Sequence, residues 1–319
     1  MSSKHLVDPE LAALTAMPVV ALESVPLAQI RAMSAAMAPA RPPPSPEVEI
    51  REAVAPGRDG APDVRLVITA PKAPGAGRPG ILHVHGGGYV LGTADMTGPT
   101  DEIYARELGA VVVSVDYRLA PETPYPGPVE DCYAGLAWLH AEADRLGVDR
   151  SRIAVTGESA GGGLAAALVL LARERGEVAV AFQHLVFPML DDRTVVDAEP
   201  SAFFGEFIWN RDANRFGWAS LLGAEPGGAD ISHFAAPARV NDLSGLPPTF
   251  MVCGALDLFL EENLDYARRL MRAGVSTELH VYPGAPHGFM FVPDAGVTRT
   301  YARDSLDAWS RALAPRNAS

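Results

Sequence analysis

Two short glycine-rich strings, His85-Gly86-Gly87-Gly88-Tyr89 and Gly157-Glu158-Ser159-Ala160-Gly161, stand about seventy residues apart and together describe a site for acyl transfer. Each follows an apolar run, Ile81 to His85 and Ile153 to Thr156, so each sits at the end of an expected strand. A G-x-S-x-G string between a strand and a helix forms a nucleophile elbow, a strained turn that lifts the serine hydroxyl clear of the sheet. Side chains at Gly157 or Gly161 would clash with the neighbouring strand and helix, which makes Ser159 the expected nucleophile. The glycines after His85 let the backbone approach a ligand closely enough for N–H groups to meet an oxyanion, and the elbow brings the Ala160 N–H to the same point. A flexible loop would explain the glycines alone, but not that convergence.

A neutral hydroxyl is a poor nucleophile, so Ser159 needs a general base, and the base needs a carboxylate to fix its tautomer. On an elbow of this type the partners follow in the order serine, acid, histidine. Asp257 closes the run Phe250 to Leu256 and so lies just past a strand, on the face where the elbow projects. Asp265 and Asp242 compete, but the first falls within a predicted helix and the second within an insertion; a solvated helix N-cap is the role for Asp257 that involves no chemistry. His287 follows a late strand in the loop Pro283 to Phe289, where a histidine has no core to satisfy. His280 within a strand, His184 in a buried run and His140 on a helix read as structural. His85 precedes the serine, which excludes it as the base of such an elbow.

The elements that must hold these residues alternate. Runs rich in β-branched residues, at Val48–Val54, Val64–Thr69, Ile81–His85, Ala110–Val115, Ile153–Thr156, Phe182–Phe187, Thr249–Cys253 and Glu278–Tyr282, predict about eight strands, the first two an antiparallel pair. Helical patterns between them, firmest over Val129–Leu146, Gly161–Glu174, Glu261–Ala273 and Val297–Leu313, argue for a mostly parallel sheet with helices on both faces. A chain of 319 residues fits one such domain with an accessory cap.

Two segments break the alternation and are assigned to a helical cap: residues 1–45 and an insertion at 191–242, leaving 46–190 and 243–319 as the two parts of the core. In the first, Ser24 is placed to cap a helix with Leu27, Ile30, Met33 and Met37 on one face, ended by the prolines from Pro42. The insertion carries Phe203, Phe204, Phe207, Trp209, Phe216 and Trp218, either as core or as the wall of a ligand site beside the strand ends. Substrate contacts are expected from Tyr89, Phe203, Phe207, Trp209, Leu258 and Phe289.

A net charge of −13 and the absence of a basic cluster exclude a nucleic-acid partner. Cys132 and Cys253 lie on separate elements without metal-type spacing and read as buried thiols, which fits a reducing compartment. Asp8, Glu10 and Glu23 interrupt any signal-peptide pattern, and no apolar run reaches the roughly 20 residues that span a bilayer. A soluble, cytoplasmic protein with no membrane span, no metal and no cofactor is the expectation.

After about residue 45 the chain resembles the bacterial hormone-sensitive-lipase-like (family IV) esterases of the α/β-hydrolase superfamily. The resemblance is carried by His85 to Gly88, by the Tyr-Arg-Leu-Ala-Pro-Glu string at Tyr117 to Glu122 with the trailing Pro126 and Glu130-Asp131, by the elbow, and by the His-Gly-Phe ending at His287 to Phe289. It implies Ser159, Asp257 and His287 as the catalytic triad and the backbone N–H groups of Gly87, Gly88 and Ala160 as the oxyanion hole. It also implies a cofactor-independent serine carboxylesterase acting on small-molecule esters of short to medium chain length. A deacetylase, lactonase or amidase would use the same machinery, and a ligand-binding homologue without catalysis is the reading from another class. Such enzymes are often dimers, so a homodimer is the assembly implied. Two departures stand out: Glu158 occupies a position usually held by aspartate or threonine, and Leu258-Phe259-Leu260 replaces a more polar stretch after the acid.

Overall fold

The computed structural model describes residues 2–17, 19, 22, 24–37 and 43–315. Eight strands form a single sheet: β1 (Val48–Ala55), β2 (Val64–Pro71), β3 (Arg78–Val84), β4 (Val111–Val115), β5 (Val148–Glu158), β6 (Phe182–Val186), β7 (Thr249–Gly254) and β8 (Thr277–Tyr282). Their order is β1-β2-β4-β3-β5-β6-β7-β8. The β1–β2 and β2–β4 pairs are antiparallel and every later pair is parallel. Every residue of β4, β6 and β7 is buried, as parallel strands covered on both faces require.

Because successive side chains on a strand point to opposite faces, the sheet separates two apolar layers. Leu82 and Val113 face one layer and their neighbours Ile81 and Val112 face the other. The first layer packs against α3 (Gly127–Ala141), α5 (Ala160–Arg175) and α7 (Leu260–Arg272), and the second against α2 (Gly98–Glu107) and α8 (Gly296–Ala312). The helix expected over Val129–Leu146 is divided at Glu142 into α3 and a single turn, α4 (Ala143–Leu146). Gly147 then takes the left-handed conformation, φ 68°, and turns the chain into β5.

The N-terminal residues form a strap. Asp8 caps a 3-10 stretch, Pro9–Ala16, by accepting from the Glu10 N–H at 2.8 Å, and that stretch buries Leu11 and Leu14 in the second layer. Ser3 donates from its backbone N–H and its hydroxyl to Glu206, at 2.5 and 2.6 Å. The Asp8 N–H donates to the Gly284 carbonyl at 3.0 Å, and Glu10 accepts from the Gly296 N–H at 2.5 Å. The next helix, α1 (Leu27–Met37), starts three residues after Ser24. Ile30 is buried, whereas Met33 is 51% exposed, so the proposed apolar stripe is narrower than the spacing implies. The Met37 side chain and the stop at Pro42 lie outside the described residues.

Within the insertion only α6 (Arg211–Leu222) is an α-helix among the described residues, capped by Asn210, whose Oδ1 accepts from the Ala213 N–H at 2.9 Å. Trp218 is fully buried in the first layer, and Arg239 donates to the buried Asp192 carboxylate at 2.5 Å. Among the described residues no helix is long and apolar enough to cross a membrane.

Trp309 on α8 locks the second layer. Its ring lies 4.9 Å from His184, 5.1 Å from Phe182 and 5.4 Å from Tyr104. Truncating a buried aromatic removes its transfer energy and leaves a cavity, so Trp309→Ala is expected to cost about 3–5 kcal/mol. Urea unfolding measures this; a loss below about 1 kcal/mol would show that α8 repacks without it.

Candidate active site

Ser159 joins β5 to α5 with φ 56° and ψ −123°, a left-handed turn that non-glycine residues rarely hold. Two glycines permit it. A Cβ on Gly157 would lie 2.3 Å from the Gly161 carbonyl oxygen, and one on Gly161 would lie 2.1 Å from that of Val84. The turn is fixed on both sides: the Ser159 N–H donates to the Val186 carbonyl at 2.9 Å, and its carbonyl accepts from the N–H groups of Gly163 and Met189.

The Ser159 hydroxyl lies 3.0 Å from Nε2 of His287, whose Nδ1 lies 2.8 Å from Oδ2 of Asp257. The other oxygen of Asp257 accepts from the Phe259 N–H at 2.9 Å. All three side chains are buried and come from three different strand ends, after β5, β7 and β8. With Nδ1–H donating to the carboxylate, Nε2 carries the lone pair that can accept the serine proton. The competing acids lie elsewhere: Asp265 pairs with Arg268 on the exposed face of α7, and Asp242 holds the Ser244 N–H.

The imidazole of His287 has a packed cage that a loop position did not suggest. Phe187 approaches it to 4.5 Å between ring centroids, and Phe259 meets it edge-on at 5.2 Å. Phe187 itself holds φ 34° at the end of β6. Its place just past a strand on the elbow's face was the signal available in the sequence.

The glycine string abuts the elbow. A Cβ on Gly86 would lie 2.9 Å from the Glu158 carbonyl oxygen and 3.4 Å from the Ser159 Cβ. Gly87 and Gly88 hold φ 122° and 60°. Among the described residues no backbone hydrogen bond outside the helices and strands uses the N–H of Gly87, Gly88 or Ala160. Backbone donors left without such a partner are the kind of group that can receive an oxyanion. His85 is engaged apart from Ser159: Nδ1 bonds the Gly86 carbonyl at 2.8 Å and the ring stacks on Tyr117 at 4.2 Å. Burial pushes its pKa down to about 4.

Of the expected substrate contacts, Trp209 lies directly on the glycine string, since a Cβ on Gly88 would fall 2.1 Å from its ring. Leu258 packs against Gly205 of the insertion, Phe207 is buried and Phe203 half-buried. Tyr89 and Phe289 are placed differently. Both are fully buried: Tyr89 donates to the Met189 carbonyl at 3.1 Å, and Phe289 packs between Phe187, Tyr282 and Tyr301. Their side chains are occupied in the core.

One cluster was not foreseen. His83 on β3 lies between Asp101 of α2, 2.6 Å from Nδ1, and Glu158 of the elbow, 2.8 Å from Nε2. Burial alone would lower the pKa of His83, but the two carboxylates outweigh it and raise the value to about 10. His184, stacked between Phe250 and Trp309, has no carboxylate partner among the described residues, and burial lowers its pKa to about 3.

A family model described as the alpha/beta hydrolase fold matches residues 81–291. Among solved structures, "Bacterial Heroin Esterase" superposes with a TM-score of 0.91 at 44% identity, covering 98% of this chain and 100% of that one. Carboxylesterase NlhH of Mycobacterium tuberculosis is 39% identical over 254 residues, 77% of this chain and 76% of its own length. Ethyl acetate hydrolase of Pseudomonas putida is 32% identical over 231 residues, 71% of each chain.

The buried histidines contribute to the pH dependence of the folded state. His85 and His184 are neutral when folded and return to about 6.5 on unfolding, so their contribution is complete above that value and is lost as pH falls toward 4 and 3. His83 works in the opposite sense: its contribution is complete below about 6.5 and is lost as pH rises through about 10. The urea midpoint is therefore expected to peak near neutrality and decline on both flanks. A midpoint that keeps rising beyond about pH 8 would contradict a charged His83.

Proposed function

Because the chain belongs to the α/β-hydrolase family, as one of its hormone-sensitive-lipase-like carboxylesterases, we propose that it cleaves short- to medium-chain carboxylic esters through an acyl-enzyme on Ser159. The observation that carries this reading is the continuous hydrogen-bonded chain from Ser159 through His287 to Asp257. Ser159 Oγ attacks the ester carbonyl carbon as Nε2 of His287 takes its proton. Asp257 stabilises the imidazolium, and the N–H groups of Gly87, Gly88 and Ala160 receive the oxyanion. Collapse breaks the bond to the alkoxy group, which leaves with the proton held on Nε2. Water then repeats the cycle and frees the acid.

The cap, assigned to residues 1–45 and 191–242, closes this site from above in our reading. Trp209 on Gly88 and the neighbouring Phe203 and Phe207 support a bounded acyl or alcohol pocket, hence the preference for shorter chains. The name of the Pseudomonas putida relative is in keeping with a small acyl group. The two buried free thiols support a reducing, cytoplasmic setting, and family likeness supports a homodimer.

Ser159→Ala is expected to lower turnover roughly a million-fold with the fold intact, and Asp257→Asn roughly ten-thousand-fold. Retention of a tenth of the parent activity by the serine variant would end the assignment, as would greater damage from Asp265→Asn than from Asp257→Asn. A panel of activated esters of graded length, with one amide and one lactone, defines the substrate class.

On the same panel, Trp209→Ala and Phe203→Ala should shift selectivity among acyl lengths by roughly 1–3 kcal/mol, the discrimination an apolar pocket supplies. Equal loss on all esters with early melting would make these side chains cap core instead.

A further inference from the structure

The residue before the nucleophile carries a charge that the reaction scheme above leaves unused. Glu158 ends β5, its carbonyl presses on Gly86 of the glycine string, and its carboxylate reaches His83 at 2.8 Å. His83 in turn lies in the middle of the sheet, in register with Thr156 of β5 and Ser114 of β4. On its far side Asp101 is fully buried, and its second oxygen accepts from the hydroxyls of Thr97 at 2.8 Å and Ser114 at 2.7 Å. Asp101 is thereby fixed by three side chains on three elements, which makes it a rigid anchor for the imidazole.

A carboxylate one residue from the nucleophile is a hazard unless it is compensated, because negative charge there opposes the oxyanion that forms in the transition state. Packing alone would be served better by apolar groups of similar shape, since a buried ion cluster returns little of its desolvation cost. The arrangement makes sense if Glu158 is needed where it is.

We propose that Glu158 is a positioning residue for the nucleophile elbow, tethered through His83 to Asp101 on α2, so that this three-residue chain holds Ser159 and the adjoining glycine string in register. The proposal rests on Ser159 being the nucleophile. Apart from Asp101 and Glu158, the titratable groups around His83 are Tyr104 of α2, at 6.2 Å between rings, His85 beyond the end of its own strand and His184 of β6. The two histidines are neutral by burial, so the carboxylates dominate the charge at His83.

Glu158→Ala cuts the tether and is expected to lower kcat at least about tenfold while KM stays within about twofold. Glu158→Gln keeps an acceptor for His83 but removes one of its two charges. It should recover part of the loss, and its kcat should decline at lower alkaline pH than the parent's, because His83 then gives up its proton more easily. Melting curves accompany each rate. A kcat for Glu158→Ala within about threefold of the parent, or a loss residing in KM, overturns the proposal. So does a Glu158→Gln profile that coincides with the parent's, and that profile decides alone if the alanine variant fails to fold. Turnover surviving in Ser159→Ala would bring down the nucleophile assignment instead, an outcome distinct from full activity in the Glu158 variants.

Discussion

The left-handed backbone at Ser159 is the constraint around which the rest of the molecule is arranged. Holding a serine at φ 56° costs on the order of 1–3 kcal/mol, and the turn persists because its surroundings leave it no alternative. Gly157 and Gly161 supply the space, Val186 and Met189 take up its backbone groups, and Gly86 closes against Glu158 from the side. These contacts come from the ends of three neighbouring strands, β3, β5 and β6. A parallel sheet collects strand ends along one edge, so the strained turn and its supports are products of the topology.

The same edge explains how the insertion participates. Trp209 lies on Gly88, while Gly205 packs on Leu258 immediately after Asp257 and donates its N–H to the Leu256 carbonyl at 3.0 Å. One segment therefore presses on both the glycine string and the loop of the acid. Phe187 and Phe259 enclose His287 between them, which confines the imidazole to the plane in which both its nitrogens find partners.

All eight strands, and the meeting of Ser159, Asp257 and His287, could be read from the chain, because local pattern signals them: β-branched runs, glycine pairs at strand ends and the order of the three residues. What could not be read depends on lateral register. His83 is two residues from the glycine string, but nothing local says that Asp101 and Glu158 flank it; only the pairing of β3 with β4 and β5 does. Helix α2, which carries Asp101, is largely polar and shows no strong apolar stripe. Tyr89 and Phe289 sit beside the glycine string and His287 in sequence, yet the turns there send both rings into the core.

The N-terminal strap has a consequence for how the molecule is made. Ser3, Asp8 and Glu10 leave the ribosome well before their partners Glu206, Gly284 and Gly296, which emerge some two to three hundred residues later. The strap must wait, undocked, through most of synthesis, because contacts this distant along the chain form only after the intervening sheet has brought their ends together. Docking of the strap is thus a late event of assembly, and β5 and β6, which hold the turn at Ser159, are synthesised before Glu206, Gly284 and Gly296, to which the strap is hydrogen-bonded.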